Sequence, residues 1–250
     1  MNCFKIKNLT YFFIIISTVF CSCGANHYLN NNIIYKDADF TYNHLKNKGL
    51  IIGGMSSKLI DLKNKERINY SSILSNTLLE ELKDVHNIHI INTHQLIVEI
   101  GNENYFEMMD NFDMKKTVNE EIVHLIRDKI SNAKYILFAY IKNENIFDNS
   151  HEEYIEDEGE EENIETEYQK TYLLNIEFLM YEILQERLVL SNVIHNVAKR
   201  TETRATRTGF LELFIDNLIQ SILYGEPAEI NREEVLIKIS EQFAQNLNNM

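Results

Sequence analysis

Two β-prone runs with only two residues between them constrain this chain more than any other feature. Residues 172–184 and 187–198 are rich in Leu, Ile, Val, Phe and Tyr, and only Gln185 and Glu186 separate them. Runs so tightly joined pair as an antiparallel hairpin, although the connection lacks Asn-Gly turn chemistry. In such a hairpin Leu174, Ile176, Phe178 and Met180 share the face that packs on helices. Asn175 and Glu177 fall on the other, partly wet face.

The rest of the chain supplies a mixed context for that hairpin. A short buried strand is expected over 49–54, and a helix from Asn69-Tyr70-Ser71-Ser72 with Tyr70, Ile73, Leu74, Leu78 and Leu82 on one face. Residues 88–91 and 96–100 read as strands, and the aromatic and Met residues of 105–114 as a short helix. Thr117-Val118-Asn119-Glu120 has the form of a capping box, followed by a stripe of Val118, Ile122, Leu125, Ile126 and Ile130. The wholly apolar run 135–141 suits a central strand buried on both faces. An amphipathic helix over 209–223 is broken by Gly225-Glu226-Pro227, and a final helix occupies roughly 230–247. The expectation is an α/β (α+β) fold: a mixed sheet with a long antiparallel hairpin, helices packed on its faces and C-terminal helices.

Composition limits the functions open to this fold. The chain has 250 residues, 44% hydrophobic and 25% charged, which is one globular domain with extensions. With 24 Lys+Arg against 38 Asp+Glu the net charge is −14, which excludes a broad nucleic-acid surface. Residues 151–168 hold ten Asp+Glu, and no Lys or Arg lies between Lys142 and Lys170. They read as a solvated, disordered insertion loop over 143–170, with Glu156, Asp157, Glu158, Glu160, Glu161 and Glu162 as candidates for docking a basic partner. Lys199, Arg200, Arg204 and Arg207 form a small basic stretch suited to contact with that loop, with anionic lipid or with a partner.

No motif asks for catalysis. His86, His89 and His94 lack the helical register of paired zinc ligands. Gly53-Gly54-Met55-Ser56-Ser57-Lys58 lacks Walker or dinucleotide spacing and reads as a strand-end turn. The carboxylates lie in charge runs rather than apolar pockets, and there is no nucleophile elbow. The chain is therefore expected to be no enzyme, with no cofactor and no metal site.

The N-terminus points to a membrane. Lys5 and Lys7 precede an apolar stretch over 9–20 that is short for a span, and Phe20-Cys21-Ser22-Cys23-Gly24 follows. An uncleaved anchor is the alternative. The stretch resembles the lipobox of bacterial lipoproteins, in which a small residue precedes a cysteine that is diacylated and becomes the new N-terminus. By that resemblance Ser22 fills the small position and Cys23 is the lipidated residue. Cys21 is the weaker acceptor, because Phe20 stands where a small side chain belongs. The organisation expected is a signal peptide over 1–22, a lipid-anchored tether over 23–48, a folded domain over 49–224 and a C-terminal helix within 225–250. The mature chain then keeps no free thiol.

A wider resemblance rests on the order of elements. It includes the strand over 49–54, Ser71, Ser72 and Ser75 leading to Leu78-Leu79-Glu80-Glu81-Leu82, and His89-Ile90-Ile91-Asn92 with Leu96. Asn132-Ala133-Lys134-Tyr135-Ile136-Leu137 follows, then the hairpin with Glu182 near its turn and Val189-Leu190-Ser191 beyond. This pattern, over about 49–200, resembles the curli-secretion (CsgG-like) and penicillin-binding-protein-activator lipoprotein superfamily. Asn132-Ala133-Lys134-Tyr135 replaces that superfamily's Ala-Asp-Tyr, and the hairpin turn has no glycine. The resemblance implies an envelope accessory protein that docks onto a peptidoglycan synthase. Its alternatives are a curli-type secretion-channel subunit and an envelope hydrolase. Self-association is open, and Gly24 in place of Asp after the cysteine favours the outer membrane over the inner.

Overall fold

The buried run that opens at Tyr135 organises the sheet. The computed structural model describes residues 25–57, 62–86, 88–156, 162–207 and 229–250. Their elements are β1 (Asn26–Lys36), α1 (Tyr42–Lys48), β2 (Leu50–Ser57), α2 (Asn64–His86), β3 (Ile90–Ile91) and α3 (Thr93–Ile100). There follow α4 (Asn102–Lys115), α5 (Glu120–Lys129), β4 (Tyr135–Glu156), β5 (Glu162–Glu182), β6 (Arg187–Arg207) and α6 (Arg232–Asn248). The strands form one sheet in the order β1-β6-β5-β4-β2-β3. β2 is parallel to β3 and β4, whereas β4, β5, β6 and β1 are successively antiparallel.

Every residue from Tyr135 to Ile141 is buried because both faces of the sheet are covered there. Leu137, Ala139 and Ile141 pack with α2 and α6, joined by Leu174, Ile176, Phe178 and Met180 of β5. Phe178 stacks on Phe243 of α6 at 4.0 Å between ring centroids. Ile136, Phe138 and Tyr140 pack on the opposite side with α3, α4 and α5, and Phe138 stacks on Phe112 at 4.2 Å. The two layers are the expected helices-on-both-faces arrangement, and the hairpin turn lies at 183–186 with Glu186 in the left-handed region (φ 50°).

Several local expectations are corrected. The segment expected as a tether folds: β1 pairs with β6 from Asn26↔Lys199 to Lys36↔Leu190, and α1 buries Leu45 completely. An edge strand needs apolar residues only on its inward row, here Leu29 beside His27, so the Asn-rich composition concealed it. The described parts of the acidic segment are likewise strand rather than loop. β4 and β5 stay paired from Tyr135↔Glu182 out to Glu156↔Glu162. Ile146, Phe147, Tyr154, Ile155, Ile164 and Tyr168 supply β propensity between the carboxylates. The basic stretch of β6 runs alongside β5, with Lys170↔Arg200, Thr166↔Arg204 and Asn163↔Arg207 in register.

Residues 96–100 are helix α3, not strand, because Asn92 and Gln95 cap one another: Gln95 N donates to Asn92 Oδ1 at 2.8 Å and Asn92 N to Gln95 Oε1 at 3.1 Å. Helix α2 begins at Asn64, five residues before its expected start. Asn119, not Thr117, caps α5, accepting from Glu121 N at 3.1 Å. The glycine pair lies inside β2 rather than in a turn after it. The helix expected over 209–223, the signal peptide and Cys23 lie outside the described residues.

Candidate functional site

Three polar clusters and one open sheet face are the places where chemistry or recognition can occur. The first cluster sits at the carboxyl end of β2, where open parallel sheets bind ligands. Arg67 of α2 reaches Asp110 at 2.9 Å and Asp113 at 2.7 Å on α4, and Ser56 donates to Asp113. Burial pushes the Asp113 carboxyl above its ordinary range against the pull of Arg67. Burial likewise raises the Tyr105 phenol to about 12, and its hydroxyl donates to Ser71 Oγ at 3.5 Å. The space is filled by side chains: a Cβ on Gly53 would lie 2.5 Å from the Phe138 ring, and one on Gly54 (φ 139°) 2.6 Å from the Tyr105 hydroxyl. The glycines therefore admit Phe138 and Tyr105 to the strand and form no phosphate cradle. The carboxylate that accepts from Ser56 is itself paired with Arg67.

The second cluster ties the start of α6 to the sheet. Arg232 Nε donates to Glu144 at 2.6 Å, and Arg232 Nη1 to the Tyr70 hydroxyl at 2.7 Å. Tyr172 also donates to Glu144. Burial works against the Arg232 charge, but its hydrogen bonds to Tyr70 and Tyr172 outweigh that and hold its pKa above the usual value. The third cluster lies at the opposite pole, by the hairpin turn. Glu182 is 2% exposed and meets Lys134 at 2.5 Å and Arg187 at 3.1 Å, and Arg187 continues to Asp37 at 2.7 Å. Burial penalises the Glu182 charge, yet the hydrogen bonds from Lys134 and Arg187 outweigh it and hold the carboxyl below its ordinary range. A cleft of about 680 Å³ opens beside it, lined by Lys48, Arg127, Ser131, Asn132 and Lys134 among others.

The open face belongs to the outer half of the sheet. β2 pairs with β4 only as far as Ile141, and β1 with β6 only as far as Lys199. β4, β5 and β6 continue beyond both as a three-stranded projection. Helix α6 covers one side of the sheet's antiparallel half. On the other side, among the described residues, α3–α5 reach no farther than the rows of Phe138, Tyr140 and Leu179. Outward of them the register aligns Tyr28–Val197–Leu173–Asn145 and Asn26–Lys199–Thr171–Phe147 on one face. Tyr28 is 61% and Phe147 50% exposed, and Lys199 Nζ lies 6.0 Å from the Tyr28 ring centroid.

The sequence-predicted residues distribute unevenly over this geometry. Glu156 and Glu162 end β4 and β5 opposite one another at the tip of the projection, whereas Asp157, Glu158, Glu160 and Glu161 lie outside the described residues, as do Cys21 and Cys23. His89 and His94 are exposed on β3 and α3 surroundings and form no shared site with other ligating groups among the described residues. Sequence reasoning missed Tyr28 and Phe147. Their signal was alternation within segments read as tether and loop.

Comparison with known proteins gives no family. No protein-family profile matches the chain, and no curated protein matches it by sequence. Among solved structures it is similar to the PelC dodecamer from Paraburkholderia phytofirmans (8% identity, 89% of this chain and 97% of that one, TM-score 0.36). It is also similar to the LpoB C-terminal domain from Salmonella enterica (8% identity, 68% and 87% covered, TM-score 0.30). A third is lipoprotein GNA1162 from Neisseria meningitidis (8% identity, 70% and 96% covered, TM-score 0.28). At these TM-scores no function is carried across.

Proposed function

We propose that this chain is a lipid-anchored accessory protein of the bacterial envelope, acylated at Cys23, that works by docking onto another envelope protein and not by catalysis. One observation carries the docking part. Among the described residues the sheet extends past its helices as a three-stranded projection whose outer strands, β4 beyond Ile141 and β6 beyond Lys199, each leave a row of backbone groups without a described strand partner. Free strand edges are the standard template for strand addition by a partner, and charged side chains along them suppress indiscriminate pairing. The carboxylates around Glu156 and Glu162 then select a basic partner. A peptidoglycan synthase is the partner that the superfamily resemblance implies. The anchoring part rests on the order of Lys5, Lys7, the apolar stretch and Ser22-Cys23.

Length alone favours a second reading, the secretion channel: β4, β5 and β6 span 22, 21 and 21 residues, more than a membrane strand needs. Their composition opposes it, because the outer parts of β4 and β5 carry carboxylates at both odd and even positions and so no lipid-facing band.

The test is acyl labelling with crosslinking in intact cells. Cys23→Ala abolishes incorporation of a labelled fatty acid, and a photocrosslinker at Glu156 captures one envelope protein whose yield falls when Glu158, Glu160 and Glu162 become Lys. Undiminished labelling of C23A sinks the anchor, and crosslinking indifferent to the charge reversal sinks the docking site.

A further inference from the structure

The outer edge of β1 lacks the protection that the other edges of the sheet carry. β1 ends the sheet, and no described strand pairs with its outer side. Shortness, charge and proline are the usual means of keeping such an edge from pairing. β3 at the opposite end is two residues long, and β4 beyond Ile141 bears Lys142, Glu144 and Asp148. β1 runs for 11 residues, and from Asn26 to Tyr35 it contains no Asp, Glu, Lys, Arg or Pro. Its bulge, between Ile33 and Tyr35, lies near its far end. From Asn30 onward every residue of the strand is exposed, including Ile33 (44%), Ile34 (57%) and Tyr35 (43%) in succession. Three consecutive exposed apolar residues on a strand are out of place unless something binds them.

The sequence of the strand identifies the partner. Outward from Asn31 it repeats in residue type: Asn30 with Asn32, Leu29 with Ile33, Tyr28 with Ile34, His27 with Tyr35. An antiparallel strand of the same sequence, centred on Asn31, sets each residue opposite its counterpart, amide against amide and apolar against apolar. Contact of two identical surfaces across a two-fold axis requires this self-complementarity. The uncharged edge also lets two copies of net charge −14 approach without setting carboxylates against each other. The chain's own remaining residues are poorly placed to take the edge. From Arg207 down to Asn192, the partner of Ile33, is about 50 Å at the rise of a β-strand, and from there back to Tyr172, which Arg232 touches, about 20 Å more. Residues 208–228 cover that path only when drawn out over most of their length. On the Cys23 reading above, only Cys23 and Gly24 precede Ala25 in the mature chain.

We propose that two copies of this chain pair antiparallel through the outer edge of β1, about a two-fold axis at Asn31, so that one sheet continues across both. Points related by a two-fold axis lie at equal height along it. Both acylated N-termini therefore reach one bilayer when the axis follows its normal.

The full-length chain, expressed and processed in a bacterial host, is oxidised in its membranes with copper phenanthroline. Asn31→Cys is expected to give a disulfide-linked dimer, because the two copies of that residue face each other. Ile33→Cys is expected to give none, because its copies lie four residues out of step, about 14 Å apart and beyond the reach of a disulfide. Two differently tagged copies report the same contact without oxidation. Asn31→Lys in both copies, or Asn31→Asp in both, sets like charges directly opposite and lowers co-purification roughly five-fold. Asn31→Lys in one copy with Asn31→Asp in the other restores it, which also shows that both variants fold. An unlinked Asn31→Cys, a linked Ile33→Cys, or no recovery in the mixed pair overturns the proposal. Monomeric Asn31→Cys protein that resists a water-soluble maleimide assigns the edge to a segment of the same chain and overturns it too. Disulfides in the parent chain mean that its own cysteines are free. That outcome sinks the lipoprotein reading and leaves the charge exchange to decide the pairing.

Discussion

Glu182 keeps its charge while almost wholly buried because two cations reach it, and that makes its contribution pH-dependent. Its folded pKa is depressed, so the stabilisation is present above the unfolded value of about 4.3 and is lost as pH falls through the folded one. Glu182→Gln should lower the unfolding free energy near neutrality by roughly 1–3 kcal/mol, since Lys134 and Arg187 lose their charged acceptor. Urea midpoints of variant and parent should converge in acid. A gap of equal size at every pH would refute the ionic account. Asn192 poses the reverse case. It is 0% exposed, in register with Phe178 under α6, and neither polar atom of its side chain has a hydrogen-bond partner among the described residues. A buried polar group without a partner costs about 1–3 kcal/mol, so Asn192→Val should raise the thermal midpoint. A lower midpoint would show that the amide is satisfied in solution.

At the scale of elements, the outer half of the hairpin stands apart from the core. The large buried side chains of β4 and β5 end at Ile141 and Tyr172, and beyond them the strands contact chiefly one another. Asn149 lies opposite Gln169, so removing 150–168 and joining the ends with Asn-Gly keeps the remaining register. The shortened protein should melt within about 4 °C of the parent, the shift that about 1 kcal/mol produces in a chain of this size. It should also no longer co-purify with its partner. A collapse of the melting transition would mean that the tip packs on the body. Helix α3 shows why such elements resist sequence reading: Leu96-Ile97-Val98 suits a strand and a helix equally, and the Asn92–Gln95 cap decides between them.

At the scale of the whole molecule, the sheet has two unlike poles. The ion network of Glu182, Arg187 and Asp37 closes one, and the projection and the start of β1 form the other. No helix among the described residues is long and apolar enough to cross a membrane. The projecting strands lack an apolar row, so protein lacking 1–23 should remain in solution without detergent and leave planar bilayers non-conducting. Reproducible ring-sized conductance would rank the secretion channel above the accessory role.

What the sequence determined by itself was everything encoded by unbroken local patterns. The run from Tyr135 to Ile141 could be satisfied only by burial on both faces, and the spacing of Leu174, Ile176, Phe178 and Met180 only by a strand with one buried row. Tertiary structure alone decided β1 and the outer hairpin. Their residues are polar because each strand is half wet, and they become strands only when β6 supplies a hydrogen-bonding edge and its Lys and Arg residues run beside the carboxylates. The open face was illegible for the same reason. Tyr28, Phe147 and Lys199 come from three strands far apart in sequence, and a sheet gathers such residues through register, which no local pattern records.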